Sequence, residues 1–65
     1  MKLFMVNNDD GGRHEVLIKG NRKICRKRLK EELKELKDDG VEIFDYDEDS
    51  IDGIGSNGEF HYFIE

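Results

Sequence analysis

The sequence contains no proline, no tryptophan and one cysteine, Cys25, and its longest unbroken apolar run is Leu3 to Val6. Each scarcity excludes something. A lone cysteine cannot close an internal disulfide framework, and it fits a reducing compartment. The Leu3–Val6 run is far shorter than the apolar region of a signal peptide or a membrane span. A cytoplasmic protein with no membrane partner is therefore expected. With no proline, repeat or linker-like stretch, residues 1–65 read as one domain, near the size where a single core barely suffices. Four zinc ligands are missing, and His14 and His61 lie on different strands with no nucleophile–base motif beside them. A chain this small also has little room for a large pocket. No catalytic residues, no metal and no cofactor are expected.

Charge is what the chain has in abundance: 42% of its residues are Asp, Glu, Lys or Arg. The distribution is uneven. Residues 1–30 hold nine lysines and arginines against three acids, whereas residues 31–65 hold two lysines against thirteen acids. Local charge of this kind steers association, while the net value of −5 mainly sets solubility. So high a charge content suggests disorder until the apolar residues are mapped; they form short runs and one helical stripe, which is the pattern of a folded domain.

Met1 to Val6 reads as a strand, Asn7 to Gly12 as a turn, and Arg13 to Lys19 as the returning strand of a hairpin. Asn21 is suited to cap a helix from Arg22 to about Asp39, with Gly40 as its C′ residue. Val41 to about Glu48 is the third strand, Asp49 to Gly58 a long loop, and Glu59 to Glu65 the fourth strand. The expected fold is α+β, in ββαββ order, with one helix packed across a four-stranded mixed sheet of order 2-1-4-3.

At about 100° per residue, the helix sorts into three stripes. Cys25, Leu29, Leu33 and Leu36 share the apolar face. Lys23, Arg26, Lys27, Lys30, Lys34 and Lys37 form a basic flank, and Glu31, Glu32, Glu35, Asp38 and Asp39 an acidic one. The ordinary reading of such flanks is a solvated surface laced with pairs such as Glu31–Lys34 and Lys34–Asp38, each contributing a few tenths of a kcal/mol. The sharper reading is a basic ridge for an anionic partner. The helix also begins basic and ends acidic, opposite to the preference of its dipole, and such reversals tend to occur at functional sites.

Apolar residues occupy both faces of the strands. Phe44, Phe60, Tyr62 and Ile64 are expected beneath the helix with Leu29, Leu33 and Leu36. Val41, Ile43, Leu17 and Phe63 are expected on the open face, unless a bulge shifts a strand by one residue. A contiguous open-face patch would favour a partner or self-association.

Two motifs fail on context. Gly53-Ile54-Gly55-Ser56-Asn57-Gly58 spells G-x-G-x-x-G, but a β-run rather than a helix follows it, and acids precede it. Asp45 to Ser50 starts like a calcium loop, yet Ser50, Gly53 and Ser56 stand at the sixth, ninth and twelfth positions. Cys25 has basic neighbours that would lower a thiol pKa, but it lies on the apolar stripe, where a buried hydrophobe is the common outcome.

The ββαββ order resembles the β-grasp fold, in particular the protein G immunoglobulin-binding domains and more loosely ubiquitin. The resemblance rests on Asp39-Gly40-Val41 at the helix exit, Phe44-x-Tyr46-Asp47-Glu48 as strand three, and Glu59 to Glu65 as the closing strand. It implies first and last strands lying parallel at the sheet centre. Antibody binding in that family uses helix charges and a strand-three tryptophan; here Phe44 stands nearest that position, so immunoglobulin binding is not implied. The terminal Gly-Gly of ubiquitin-like modifiers is also missing, since the chain reads Phe63-Ile64-Glu65.

These features favour a non-enzymatic module that binds a macromolecule, foremost a protein, through the basic ridge, an apolar sheet face including Phe63, or both. A designed or selected scaffold without natural function is a second reading. The Glu/Lys/Leu-rich helix and its clean caps favour it, whereas Cys25, the acidic loop and the reversed helix charges oppose it. Nucleic-acid binding along the ridge is a third, weakened by a pI near 5.0 and by the lack of interleaved aromatics.

Overall fold

A 3.6-residue apolar period in one segment and alternation in the others build two layers, a helix on a sheet. The computed structural model describes residues 1–7, 13–56 and 58–65, without the side chain of Arg13. The elements are β1 (Lys2–Asn7), β2 (Arg13–Lys19), α1 (Arg22–Asp38), β3 (Glu42–Tyr46), β4 (Ser50–Gly55) and β5 (Gly58–Ile64). The turn expected over Asn7–Gly12 lies, beyond Asn7, outside the described residues.

Both ends of α1 form as the sequence predicts. The Asn21 side chain accepts a 2.9 Å hydrogen bond from the Ile24 amide, a standard N-cap. At the other end Gly40 adopts φ 74°. Its N–H donates to the Lys37 carbonyl at 3.1 Å, and the Val41 N–H donates to that of Leu36 at 3.3 Å. Together these are the two bonds of a Schellman motif.

The sheet differs from expectation. It has five strands in the order β2-β1-β5-β4-β3, and every neighbouring pair is antiparallel. The four-stranded mixed sheet is thereby corrected. The broad part of the β-grasp resemblance, a small α+β fold with a helix packed on a sheet, is present, but the central strands β1 and β5 run antiparallel. The added strand, β4, comes from the segment expected to be a loop. It pairs with β3 on one side and β5 on the other, so it is an interior strand.

Gly53 explains how so glycine-rich a segment serves there. It is buried and paired directly with Phe60. A Cβ at this position would sit 2.4 Å from the Glu42 carbonyl oxygen and 2.6 Å from Phe60 Cζ. The absent side chain leaves the place that the Phe60 ring occupies. The G-x-G-x-x-G spelling thus falls on the end of β4 and the start of β5, with Gly55 paired to Gly58.

Leu3, Cys25, Leu29 and Ile51 form the buried core, with Leu17, Ile18, Leu33, Leu36, Ile43, Phe60, Tyr62 and Ile64 packed around it. Cys25 is therefore a core hydrophobe, its Sγ 3.8 Å from the Gly20 carbonyl oxygen. Two bulges reassign residues. The register shifts between Leu3 and Phe4 on β1, where Ile18 and then Val16 are the β2 partners, so Leu17 is the extra residue and packs with the core. The β3 register shifts between Ile43 and Asp45, which turns Phe44 outward at 56% exposure. Leu17 and Ile43 are thus beneath the helix rather than on the open face, Phe44 is outside the core, and Val41 lies half-buried just before β3.

Leu29→Ala should lower stability by about 2–5 kcal/mol, the usual cost of emptying a core leucine site. Gly53→Ala should cost about 1–3 kcal/mol by overpacking, since the nearest obstacle is backbone. Phe44→Ala should stay within about 0.5 kcal/mol. Urea midpoints measure all three, and a neutral Gly53→Ala would remove β4 from the sheet interior.

Candidate functional site

Helix α1 lies chiefly over β1, β2, β5 and β4, and its two charged flanks face opposite ways. The Tyr62 phenol is pushed above its ordinary pKa by burial first, then by Glu32 and Glu35 of α1 and by Glu15 of β2. This places Glu32 and Glu35 within electrostatic reach of Tyr62 on β5. The basic flank faces the β3–β4 hairpin.

Between that flank and the hairpin runs a groove of about 670 Å³. Leu33 and Tyr46 supply its exposed apolar surface above the buried Leu29 and Ile51; Lys23, Lys27 and Lys30 form one wall, and Asp47 and Glu48 the other. A second depression of about 540 Å³ continues along the helix past Lys34 and Lys37, with Glu31 of the acidic flank also in its lining. Lys37 Nζ lies 4.9 Å from the centroid of the Tyr46 ring, a cation–π distance. All six ridge residues named from the sequence thus border this continuous surface.

Arg26 is set apart from the lysines. Its Nε donates to Asp49 Oδ1 at 2.9 Å and its Nη2 to Asp49 Oδ2 at 3.4 Å. Nη2 is also 3.3 Å from Glu48 Oε2. Arg26 therefore ties α1 to the hairpin and closes one end of the groove. Hydrogen bonding from Arg26 holds the Asp49 carboxyl below the usual range, against partial desolvation, and raises Arg26 in return. The calcium-like run forms this turn: Asp47 Oδ1 accepts from the Asp49 amide at 2.7 Å and from Ser50 Oγ at 3.3 Å.

The expected pairs Glu31–Lys34 and Lys34–Asp38 do not form at ion-pair distance. The helix pair that does form is Arg28–Glu32, at 2.9 Å. Among the described residues, Lys23, Lys27, Lys30 and Lys34 have no carboxylate within 4 Å.

The opposite face of the sheet carries no helix. Directly opposed residues share a face, so one row there is Val16, Phe4, Phe63 and Ser50, and the next is His14, Val6, His61, Asp52 and Asp45. Phe4 stacks on Phe63 with centroids 5.1 Å apart, and His61 stacks on the same ring at 5.1 Å. His14 meets both phenylalanines edge-on, at 6.3 and 6.1 Å. His61 Nδ1 is hydrogen-bonded to an Asp52 carboxylate oxygen. Phe63 therefore lies on this face as expected, but the neighbours expected for it do not.

Sequence reasoning missed Ile51 and Tyr46 in the groove, and the gathering of Phe4 and His14 around Phe63 on the open face. Ile51 was hidden by the loop-like composition around it. The aromatic cluster depends on three strand registers at once, although alternation in β5 already set Phe63 beside His61. Compared with known proteins, the chain matches no family model, no curated protein and no solved structure.

Because the Asp49 carboxyl is depressed, its contribution to stability is present above the ordinary carboxylate pKa and is lost as pH falls through the lowered value. Asp49→Asn should therefore reduce stability at neutral pH and flatten part of the acid limb of the stability–pH profile. An Asp49→Asn profile parallel to the wild type down to the acid transition would show that the Arg26 tie is not formed in solution.

Proposed function

We propose that this protein is a non-catalytic interaction module that binds a protein segment in which acidic residues alternate with large apolar ones. Its site is the groove between the basic flank of α1 and the β3–β4 hairpin. The observation that carries this reading is a trough with an apolar floor bordered by Lys23, Lys27, Lys30 and Lys34, none of which has a carboxylate of the described residues within 4 Å.

The two features divide the work of recognition. Apolar side chains entering against Leu33 and Tyr46 would supply most of the affinity, because desolvated anchors dominate binding energy. The exposed lysines would steer encounter and fix orientation, which is how rim charges act. A nucleic acid would set phosphates against Asp47 and Glu48 of the hairpin wall, whereas a peptide can turn its acids to the lysine wall and its apolar side chains to Tyr46.

The test is fluorescence anisotropy with a short labelled peptide of alternating glutamate and leucine, compared with its lysine–leucine counterpart. The glutamate peptide should bind, and Lys27→Glu with Lys30→Glu and Lys34→Glu should weaken it by about tenfold or more, some 1.4 kcal/mol. Added salt should slow association while leaving measurable affinity, and duplex DNA should not compete. Equal binding of the two peptides, or indifference to the triple reversal, would overturn the assignment.

A further inference from the structure

The uncovered sheet face is not part of the groove, and its chemistry points to a different occupant. We propose that it pairs face to face with the same face of a second copy of this chain, around a two-fold axis near Phe63. Phe4, Phe63, Val6 and Val16 give the face an apolar centre, with Val16 41% exposed.

The charges around that centre are arranged as two poles. Lys2 and Lys19 are paired at one corner, on the β1–β2 side, with one acid, Glu65, beside them in mutual backbone hydrogen bonds with Lys2 at 2.8 and 2.9 Å. Glu42 lies at the diagonally opposite corner, in register with Ile54 and Glu59, and Asp45 lies beside it in register with Asp52. A two-fold axis lying in the interface and perpendicular to this diagonal brings the lysine pole of each copy onto the acidic pole of the other. An apolar centre with poles of opposite sign at its ends is therefore self-complementary, as an isologous interface requires.

Size and edge chemistry agree. The two longer dimensions of the molecule are 30 and 25 Å, which bounds the face at about 750 Å² and sets a dimer through it at the smaller, concentration-dependent end of standard interfaces. Association through the sheet edges is the competing geometry. Each edge pairing carries a bulge, at Leu17 in β2 and at Phe44 in β3, and bulges blunt an edge against strand addition.

Sedimentation velocity over a wide concentration range, with two sets of variants, decides the matter. The wild type should show a monomer–dimer equilibrium. Lys2→Glu with Lys19→Glu, and separately Glu42→Lys with Asp45→Lys, should each raise the dimer dissociation constant by about tenfold or more through like-charge contact. Mixed in equal amounts, the two variants should dimerise at concentrations where neither does alone. Val16→Lys, which alters an exposed position in the centre, should also give monomers. Each variant should keep the wild-type circular dichroism spectrum and its binding of the glutamate–leucine peptide, which separates this interface from the groove. A wild type that stays monomeric throughout, or a dimer indifferent to all three changes, would sink the proposal. So would pole variants that fail to recover dimers on mixing.

Discussion

Five strands about 4.8 Å apart form a sheet roughly 20 Å across, whereas a helix with its side chains is about 10–12 Å wide. One helix therefore cannot cover even one face of this sheet, and the surface features of the molecule follow from where the shortfall lies. Helix α1 sits over the β2-β1-β5-β4 side, where Leu3, Cys25, Leu29 and Ile51 are sealed. What it leaves uncovered is the strip beside β3, which becomes the groove, and the whole opposite face. Arg26 links the helix to the hairpin through Asp49 and Glu48, spanning the groove between them.

The same ion pairs account for part of the reversed helix charge. A basic first turn is unfavourable for an isolated helix. Arg26, one turn further along, answers an acidic turn contributed by a distant part of the chain, which is a tertiary reason for a basic residue near the helix start. That reason does not extend to Lys23, Lys27, Lys30 and Lys34, which meet no carboxylate of the described chain. Their presence along an apolar trough is what remains for a binding role to explain.

The helix, its caps and its apolar face were legible because each depends on short-range chemistry: Asn21 and Gly40 at the ends, Cys25, Leu29, Leu33 and Leu36 at helical spacing. β5 was legible for a similar reason, since Phe60, Tyr62 and Ile64 alternate with His61 and Phe63. β4 was not. Ser50 to Gly55 carries two glycines and an aspartate, the composition of a loop, and it becomes a strand because neighbours on both sides hydrogen-bond it and because Phe60 requires Gly53. Leu17, Ile43 and Phe44 were assigned to the wrong faces for one physical cause. A bulge inserts a single residue, and with a side-chain period of two, one residue inverts every assignment beyond it. The basic ridge was readable as a set of residues, but its setting was not, because Ile51 and Tyr46 reach it only through the pairing of β3 with β4.

The two bulges connect folding to association. A five-stranded antiparallel sheet has two open edges, each able to template another strand. In this chain both edge strands, β2 and β3, break register with their inner neighbours. The cost is borne locally, in an outward Phe44 and a displaced Leu17, and part of the latter is recovered because Leu17 packs into the core. With the edges disfavoured, the surfaces left for specific contact are the two faces. They differ in kind: one is a trough with lysines along one side, asymmetric and suited to a foreign segment, and the other is a flat aromatic patch with charge poles of opposite sign, suited to its own copy. Because the sheet lies between them, occupation of one leaves the other open, so a dimer joined through the aromatic faces would present two outward grooves to its partners.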